Sequence, residues 1–339
     1  MRRIRKTVGI AFFCVTLVAP LAQAFDFGPR PFFHLIDEEG GRSISGMYTY
    51  QYVTVNAHTF DRMRLDAGGL GTAWVETTDL ETHFEPHHQL NLTVDLFPGA
   101  NVAFSYVTNQ FNQDQDDSLS YDELKADLHL GPWYLGYRRV SQETRTYYKL
   151  RAPAATKRTS EELEYDTRLD IVKFGILSTE GMRAGRQNQR LMELYGGITY
   201  IGLDTALPAF KEGGEGSLVA ESFKSRSLGL TANVSFTSIL VEAQPGDNFL
   251  PYLTFGYSWT FFGITRMNDE WVSGMSLGYR IVEGEGVLDT SFEAGLGAFL
   301  MNRARFDMNL FFNGVAVRSE NYEQILGKGG LAFSLEIQI

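Results

Sequence analysis

Long runs of this chain alternate strictly between apolar residues and small or polar residues. In the run 228–237, five apolar side chains alternate with five small or polar ones, and the run 253–261 repeats the pattern with mostly aromatic apolar residues. Successive side chains of a β-strand point to opposite faces, so each run predicts a strand with a different environment on each side. Soluble domains usually have strands of about 5–6 residues, whereas strands that cross a membrane need about 9–11. The longest runs therefore fit membrane-crossing strands.

Similar alternation covers most of the chain. It recurs in the runs 90–96, 102–106, 124–130, 163–170, 271–281, 288–300, 305–312 and 331–339. After Phe25, no apolar run is long enough for a spanning helix. A chain that crosses a membrane without such helices must do so with strands closed into a barrel, because every backbone polar group must be satisfied within the lipid.

The N-terminus has the pattern of a secretory signal peptide. A basic start precedes an apolar stretch over 8–21, and the small residues Ala22 and Ala24 are placed for cleavage before Phe25. We expect a signal peptide over 1–24, of the Sec type and cleaved after Ala24. A periplasmic segment should follow over 25–43, and a barrel over 44–339.

The charge balance excludes one class of partner. Loss of the leader would remove four of the 30 basic residues, leaving 26 against 41 acids and a net charge of −15. Nucleic-acid phosphates need a basic surface, so we expect no nucleic-acid partner. The single cysteine, Cys14, lies in the leader, so no disulfide is expected in the mature chain.

With these features the chain resembles the bacterial outer-membrane β-barrel proteins over about residues 44–339. The resemblance is carried by the leader, the long strands, the final strand GGLAFSLEIQI and aromatic residues on or near the apolar faces, namely Tyr48, Tyr50, Tyr52, Trp133, Tyr137, Tyr257, Trp259, Trp271 and Tyr279. It implies a Gram-negative outer membrane, contact with outer-membrane lipid and lipopolysaccharide, and recognition of the last strand by the barrel-assembly machinery. That machinery prefers a terminal aromatic, and Ile339 departs from this pattern.

The resulting fold prediction is all-β, a transmembrane antiparallel β-barrel of about fourteen strands, with twelve as the alternative. Phe255, Tyr257 and Trp259 should face lipid, while Gly256 and Ser258 face the lumen. A soluble β-sandwich or propeller is the competing interpretation, because alternation with polar residues outside is typical of those folds too. The oligomeric state stays open.

One run raises the question of what fills the barrel. LEYDTRLD, at 163–170, has an oily face and a densely charged face. We expect the charged faces to line the lumen, where rings of charge select ions or pair across the interior. The lumen-lining candidates are Lys125, Asp127, His129, Glu164, Asp166, Arg168, Asp170, Arg280, Asp289, Glu293, Arg305 and Asp307, and Glu336 has the same parity in the last strand.

A barrel with a charged interior is compatible with three functions. The first is a channel or porin-like transporter that passes small polar solutes or ions through a charged lumen. The second is a lipid-modifying barrel hydrolase, and the third is a closed structural or surface-recognition barrel. A channel is the leading hypothesis, because the small inward residues have too little bulk to fill a fourteen-strand interior.

Enzyme and metal motifs are weak. GMSLG, at 274–278, matches G-x-S-x-G, but a nucleophile elbow needs a strand-to-helix turn and Ser276 is expected within a strand. HFEPHH offers His83, His87 and His88 as metal ligands, but Pro86 breaks the helix that would align them. We therefore predict no catalytic residue, no metal site and no cofactor.

Overall fold

A computed structural model describes most of the chain after residue 43. The described residues are 44–66, 72–77, 85–97, 100–110, 120–151, 160–183, 189–206, 210–212, 216–218, 223–241, 249–268, 270–272, 275–277, 280–282, 286–300, 304–318 and 322–338. The predicted leader and periplasmic segment lie outside them. Within these ranges no helix is long and apolar enough to span a membrane.

The described residues form β-strands joined by turns and loops. In chain order the strands are β1 (Ile44–Asp66), β2 (Thr72–Thr77), β3 (Glu85–Phe97), β4 (Ala100–Thr108), β5 (Tyr121–Leu130), β6 (Trp133–Arg151), β7 (Ser160–Arg183), β8 (Gln189–Ala206), β9 (Phe210–Glu212), β10 (Gly216–Leu218), β11 (Phe223–Ile239), β12 (Phe249–Met267), β13 (Glu270–Val272), β14 (Met275–Leu277), β15 (Arg280–Val282), β16 (Gly286–Leu300), β17 (Ala304–Arg318) and β18 (Tyr322–Gln338).

Twelve of these strands close into one antiparallel barrel. Around the ring the order is β1, β3, β4, β5, β6, β7, β8, β11, β12, β16, β17 and β18. The last strand pairs with the first, from Ser45 opposite Gln338 to Met63 opposite Tyr322. Each barrel strand pairs with its sequence neighbour, so the connections are hairpins and no strand edge is left in the ring.

The barrel has twelve strands, which is the alternative count, and not fourteen. The predicted strand at 271–281 accounts for part of the difference. Its residues form the short strands β13, β14 and β15, of which β13 pairs antiparallel with the end of β12 and the other two pair with each other. Ser276 and Trp271 therefore do not lie on a barrel strand. The stretch after 300, in contrast, contains two complete barrel strands, β17 and β18.

The two faces of the strands have opposite character. Large apolar side chains are exposed on the outer face, for example Leu135, Phe174 and Leu230. Phe255, Tyr257 and Trp259 point outward as predicted, and Gly256 and Ser258 point inward. The inward face is largely polar, so that serine, threonine, asparagine and charged residues are buried inside the ring. Apolar outside and polar inside is the pattern of a membrane barrel.

The two ends of the barrel differ in their connections. Both ends of the chain's barrel region, at Ile44 and Gln338, lie on the side of the short connections 98–99, 131–132, 184–188, 240–248 and 301–303. The other side carries the connections 67–84, 109–120, 152–159, 207–222, 268–285 and 319–321. The two-residue turn 131–132 contains Gly131 with φ of 58°, a left-handed conformation that glycine adopts without strain.

The apolar outer face gives a test of the membrane assignment. Leu135 is 45% exposed on the outer face of β6, within the apolar band. Leu135→Arg should cost about 2–4 kcal/mol, because the charge would lie in lipid. Ser141→Arg is the matched control on the same face, about 20 Å further along the strand and beyond the band. Urea unfolding in lipid vesicles measures both, and an equal loss would contradict the placement of the band.

Candidate functional site

The barrel interior contains seven of the twelve predicted lumen-lining residues. They are Lys125, Asp127, His129, Asp289, Glu293, Arg305 and Asp307, and the last strand adds Glu336. All lie on the face that also carries the buried residues of their strands. Whether they act on a solute is a separate question, and it depends on what each side chain contacts.

Three of the four charged residues of 163–170, namely Asp166, Arg168 and Asp170, point outward, contrary to our prediction. Tyr165, Thr167 and Leu169 are buried inside the ring, whereas Asp166 and Arg168 are exposed on the outer face. Asp170 shares that outer face. The reason is the length of β7: at 24 residues it extends past the apolar band, so its charged end can face water outside the barrel.

The side chains of two further candidates lie outside the part of the chain that the structure describes. Glu164 lies in β7, but its side chain is outside the part that the structure describes. Arg280 lies in β15, which pairs with β14 and not with a barrel strand. The alternation over 165–170 thus reflects Tyr165, Thr167 and Leu169 packed inside the barrel, with the charged residues between them turned outward.

Glu123 is the centre of the interior charge network. Its carboxylate is 1% exposed and is bonded by three cations from three strands. The ammonium of Lys125 lies 3.1 Å away, the Nε of Arg138 3.0 Å away, and the ammonium of Lys328 3.0 Å away. Tyr121 also donates its hydroxyl hydrogen to this carboxylate. A single buried anion therefore joins β5, β6 and β18.

This network reaches across the interior to the opposite wall of the barrel. Arg138 donates a hydrogen bond of 3.3 Å to the amide oxygen of Asn313, which lies on β17. In a ring of twelve strands, β6 and β17 are six positions apart in either direction, so they are diametrically opposite. The ammonium of Lys328, on β18, additionally lies 4.4 Å from the centre of the ring of Tyr121, which is on β5.

A second contact joins another diametrically opposite pair. Gln324 on β18 donates to the Thr167 hydroxyl on β7 at 3.5 Å, and it accepts a hydrogen bond from Thr205 on β8 at 3.1 Å. Glutamine and threonine are too short to cross a wide lumen. The two walls must therefore approach each other closely at this level.

Four more of the interior charges, Asp289, Arg305, Asp307 and Glu336, form two further clusters. Arg305 pairs with Asp307 at 3.0 Å and with Glu336 at 3.1 Å, and Tyr252 donates to Asp307. Elsewhere Lys173 lies 3.8 Å from Asp289. Asp289 also accepts a hydrogen bond from Thr260, the last of a row of hydroxyls that includes Thr199 and Thr231.

A small cavity of about 40 Å³ lies beside the Glu123 network, between the two walls. Its lining includes Tyr121, Arg138 and Gln142 on one side and Asn313 and Lys328 on the other. Aliphatic side chains, among them Val140, Leu169 and Val315, form much of the remaining lining. A cavity of this volume has room for at most a few water molecules.

The histidines do not converge. His87 is buried inside, 3.4 Å from Glu85 and 4.7 Å between ring centres from Tyr121. His88, the next residue, points outward and hydrogen-bonds the Tyr48 hydroxyl at 2.7 Å. Neighbouring positions of a strand face opposite ways, so the pair cannot share a metal. His83 lies outside the described residues, and no group of three metal-binding side chains occurs among the described ones.

Sequence reasoning missed the residues that matter most to this interior, namely Glu123, Arg138, Lys173, Gln324 and Lys328. Glu123 had a usable signal, since extending the alternation of Lys125 and Asp127 back by two residues assigns it to the inner face. Lys328 had no such signal, because the glycines on either side of it obscure the two-residue alternation. The contact between Lys328 and Glu123 spans 205 residues of sequence.

The network predicts a large effect of one neutral substitution. Glu123→Gln would leave Lys125, Arg138 and Lys328 buried together without their carboxylate. Loss of one partner from a buried ionic cluster costs about 3–5 kcal/mol of unfolding free energy. Tryptophan fluorescence during urea unfolding measures it. Glu143→Gln, an exposed glutamate on the outer face of β6, is the control and should change little. Equal stabilities would show that the network does not hold the walls.

Comparison with known proteins gives similarity in structure only. Neither a protein-family model nor a curated protein matches the chain. Among solved structures, the translocator domain of the autotransporter NalP from Neisseria meningitidis is 15% identical, with a TM-score of 0.42, over 88% of this chain and 90% of that one. The β domain of the Bordetella autotransporter BrkA is 7% identical, with a TM-score of 0.39, over 88% and 99%.

A third similar structure is an outer-membrane channel from Pseudomonas putida F1. It is 12% identical, with a TM-score of 0.38, and the match covers 94% of this chain and 99% of that one. These proteins differ in activity, so they assign none to this chain. The architecture is informative by itself, because the ring is closed, its outer band is apolar and its interior is polar. The chain is an outer-membrane-type β-barrel.

Proposed function

We propose that the protein is a closed structural or surface-recognition barrel of the bacterial outer membrane. The observation that carries this proposal is hydrogen bonding between diametrically opposite strands, from Arg138 to Asn313 and from Gln324 to Thr167. An open pore keeps its charged residues hydrated along a continuous path. Here the two walls are in contact at two levels, and the central anion Glu123 is removed from water.

Orientation in the membrane follows from the connections. Outer-membrane barrels have short periplasmic turns and longer extracellular loops. The side that holds both ends of the barrel region also holds most of the short connections, so we assign it to the periplasm. A signal peptide over 1–24, cleaved after Ala24, would bring the chain to this location, and the barrel-assembly machinery would read β18. These steps are part of the proposal.

A recognition role would use the opposite end. The strands β6 and β7, of 19 and 24 residues, extend well past the apolar band and are joined by residues 152–159. Strand pairing holds these extensions in place, as in Tyr147 opposite Glu162. A rigid sheet that projects from the membrane is suited to present loops to a partner outside the cell.

A gated channel for small polar solutes or ions is the second candidate. It is favoured by one observation. The hydrogen bonds and ion pairs that cross the interior are polar, and they lie beside a cavity that residues of both walls line. Charged side chains can replace these contacts with hydrogen bonds to water, whereas the side chains of a packed apolar core cannot. In this alternative the Arg138 and Lys328 contacts would be the gate.

Ion conductance separates the two candidates. A closed barrel should carry no steady current in a planar bilayer. The double variant Arg138→Ala with Lys328→Ala should begin to leak, since it removes two side chains that cross the interior. Arg318→Ala, on the outer face of β17, is the control and should stay closed. A gel mobility shift on heating must first show that each variant is folded. Stepwise current from the wild-type protein would favour the gated channel and overturn the closed barrel.

A further inference from the structure

The outer face changes abruptly from apolar to charged on five adjacent strands. On β7 the outward positions run from Ile176 and Phe174 through Val172 to Asp170 and Arg168. The same change occurs after Tyr137 on β6, after Tyr200 on β8, after Leu228 on β11 and after Ile264 on β12. Tyrosine at this boundary is typical of the membrane–water interface. The charged residues thus begin where the lipid acyl chains would end.

Strand register places these charged residues in two neighbouring rows. One row crosses five strands as Arg139, Asp170, Gly202, Arg226 and Arg266, each directly opposite the next. The bulge at Gly263 turns Arg266 to the outer face, since Thr265 and Met267 are buried. The other row contains Arg168, Asp204 and Lys224. We call these seven side chains, without Gly202, the outer belt.

Three of the five cations of the outer belt are held in place by its two carboxylates. Arg139 and Arg168 each donate a hydrogen bond of 2.8 Å to Asp170. Arg226 makes a two-pronged contact with Asp204, at 2.8 and 2.9 Å, and its methylenes cover Gly202. Two carboxylates thus position three guanidinium groups, which stay partly open to the outside.

The outer belt is positive in a chain that is strongly negative. It contains five cations and two carboxylates, a local balance of +3, whereas the whole chain carries −11. The next outward positions, Glu143 and Asp166, are acidic and lie opposite each other on β6 and β7. The positive zone is therefore a narrow strip between the apolar band and this acidic pair.

We propose that the outer belt binds the phosphate groups of a phosphorylated glycolipid in the outer leaflet, of the lipid A type. Acyl chains would pack on the apolar surface formed by residues such as Phe174 and Leu230, and the headgroup phosphates would reach the guanidinium groups. Arginine suits this role because its planar group binds phosphate with two hydrogen bonds and stays charged in a partly dry site. This inference rests on the orientation given under the proposed function.

A soluble anion is the other source of the same chemistry, and the strip's position argues against it. A site for a free phosphate needs charge alone, whereas this strip lies along the edge of an exposed apolar surface on each of its five strands. A ligand that uses both must be amphiphilic. The test therefore compares lipids that differ only in phosphate.

Native mass spectrometry of the full chain in detergent provides the test. The probes are bisphosphorylated lipid A, the same lipid without phosphates, and inorganic phosphate. Wild-type protein should retain the phosphorylated lipid, and the triple variant Arg168→Gln, Lys224→Gln, Arg266→Gln should bind it about tenfold or more weakly. Arg318→Gln, on β17 and two strands beyond the outer belt, should bind as wild type does.

Each outcome decides one point. Equal binding by wild type and the triple variant, or equal binding of both lipids, would overturn the proposal. Binding of inorganic phosphate alone would replace the lipid with a soluble anion and would also overturn it. Lipid binding is measured independently of conductance. A protein that conducts ions but binds the phosphorylated lipid more tightly than the dephosphorylated one would contradict only the closed barrel. A closed protein that fails to discriminate them would contradict only the outer belt.

Discussion

The structure depends on closure of the ring between β1 and β18. In lipid no water is available to backbone amides and carbonyls, so a strand edge that faced the membrane would leave a row of them unsatisfied. The long pairing of these two strands, from Ser45 opposite Gln338 to Met63 opposite Tyr322, removes that edge. Closure also decides which face of every other strand is inside. The apolar outer band and the buried interior charges both follow from this assignment of faces. The number of strands, twelve, determines the volume of the interior.

That interior is filled by pairing small residues with large ones. A barrel of about eight strands is filled by ordinary side chains, and a wider one leaves space unless long side chains reach inward. Here Tyr252 lies over Gly297, where a Cβ atom would collide with the ring, and Tyr134 leans over Gly136 on its own strand. The glycines make room for the rings. Small inward residues were the basis for the channel hypothesis, and at Gly297 and Gly136 the space that they leave is occupied by a tyrosine ring.

Alternation was sufficient to predict the strands, their membrane-crossing length and most of their inward faces. It placed Asp289, Arg305 and Asp307 on the inner face, as in the structure. It failed at β7, because a charged face looks the same whether it lines a lumen or projects into water beyond the lipid, and only the position along the strand distinguishes the two. It failed at 271–281, where the alternating pattern belongs to a connection. The contacts that close the interior were beyond local patterns altogether, since Arg138 and Asn313 are 175 residues apart.

The same types of charge have different consequences on the two faces. Inside, Glu123 and its three cations are removed from water, and their desolvation is offset only by close mutual contacts. Such a cluster contributes little net stability but penalises any arrangement that separates its members, so it specifies one packing of the two walls. Outside, Arg168 and Arg226 remain at the surface, where holding a charge costs little and a second anion can still approach. A charge that is fully engaged in holding walls together has little capacity left for a ligand. Binding by this barrel is therefore better sought on the outer wall and the projecting strand ends than in the lumen.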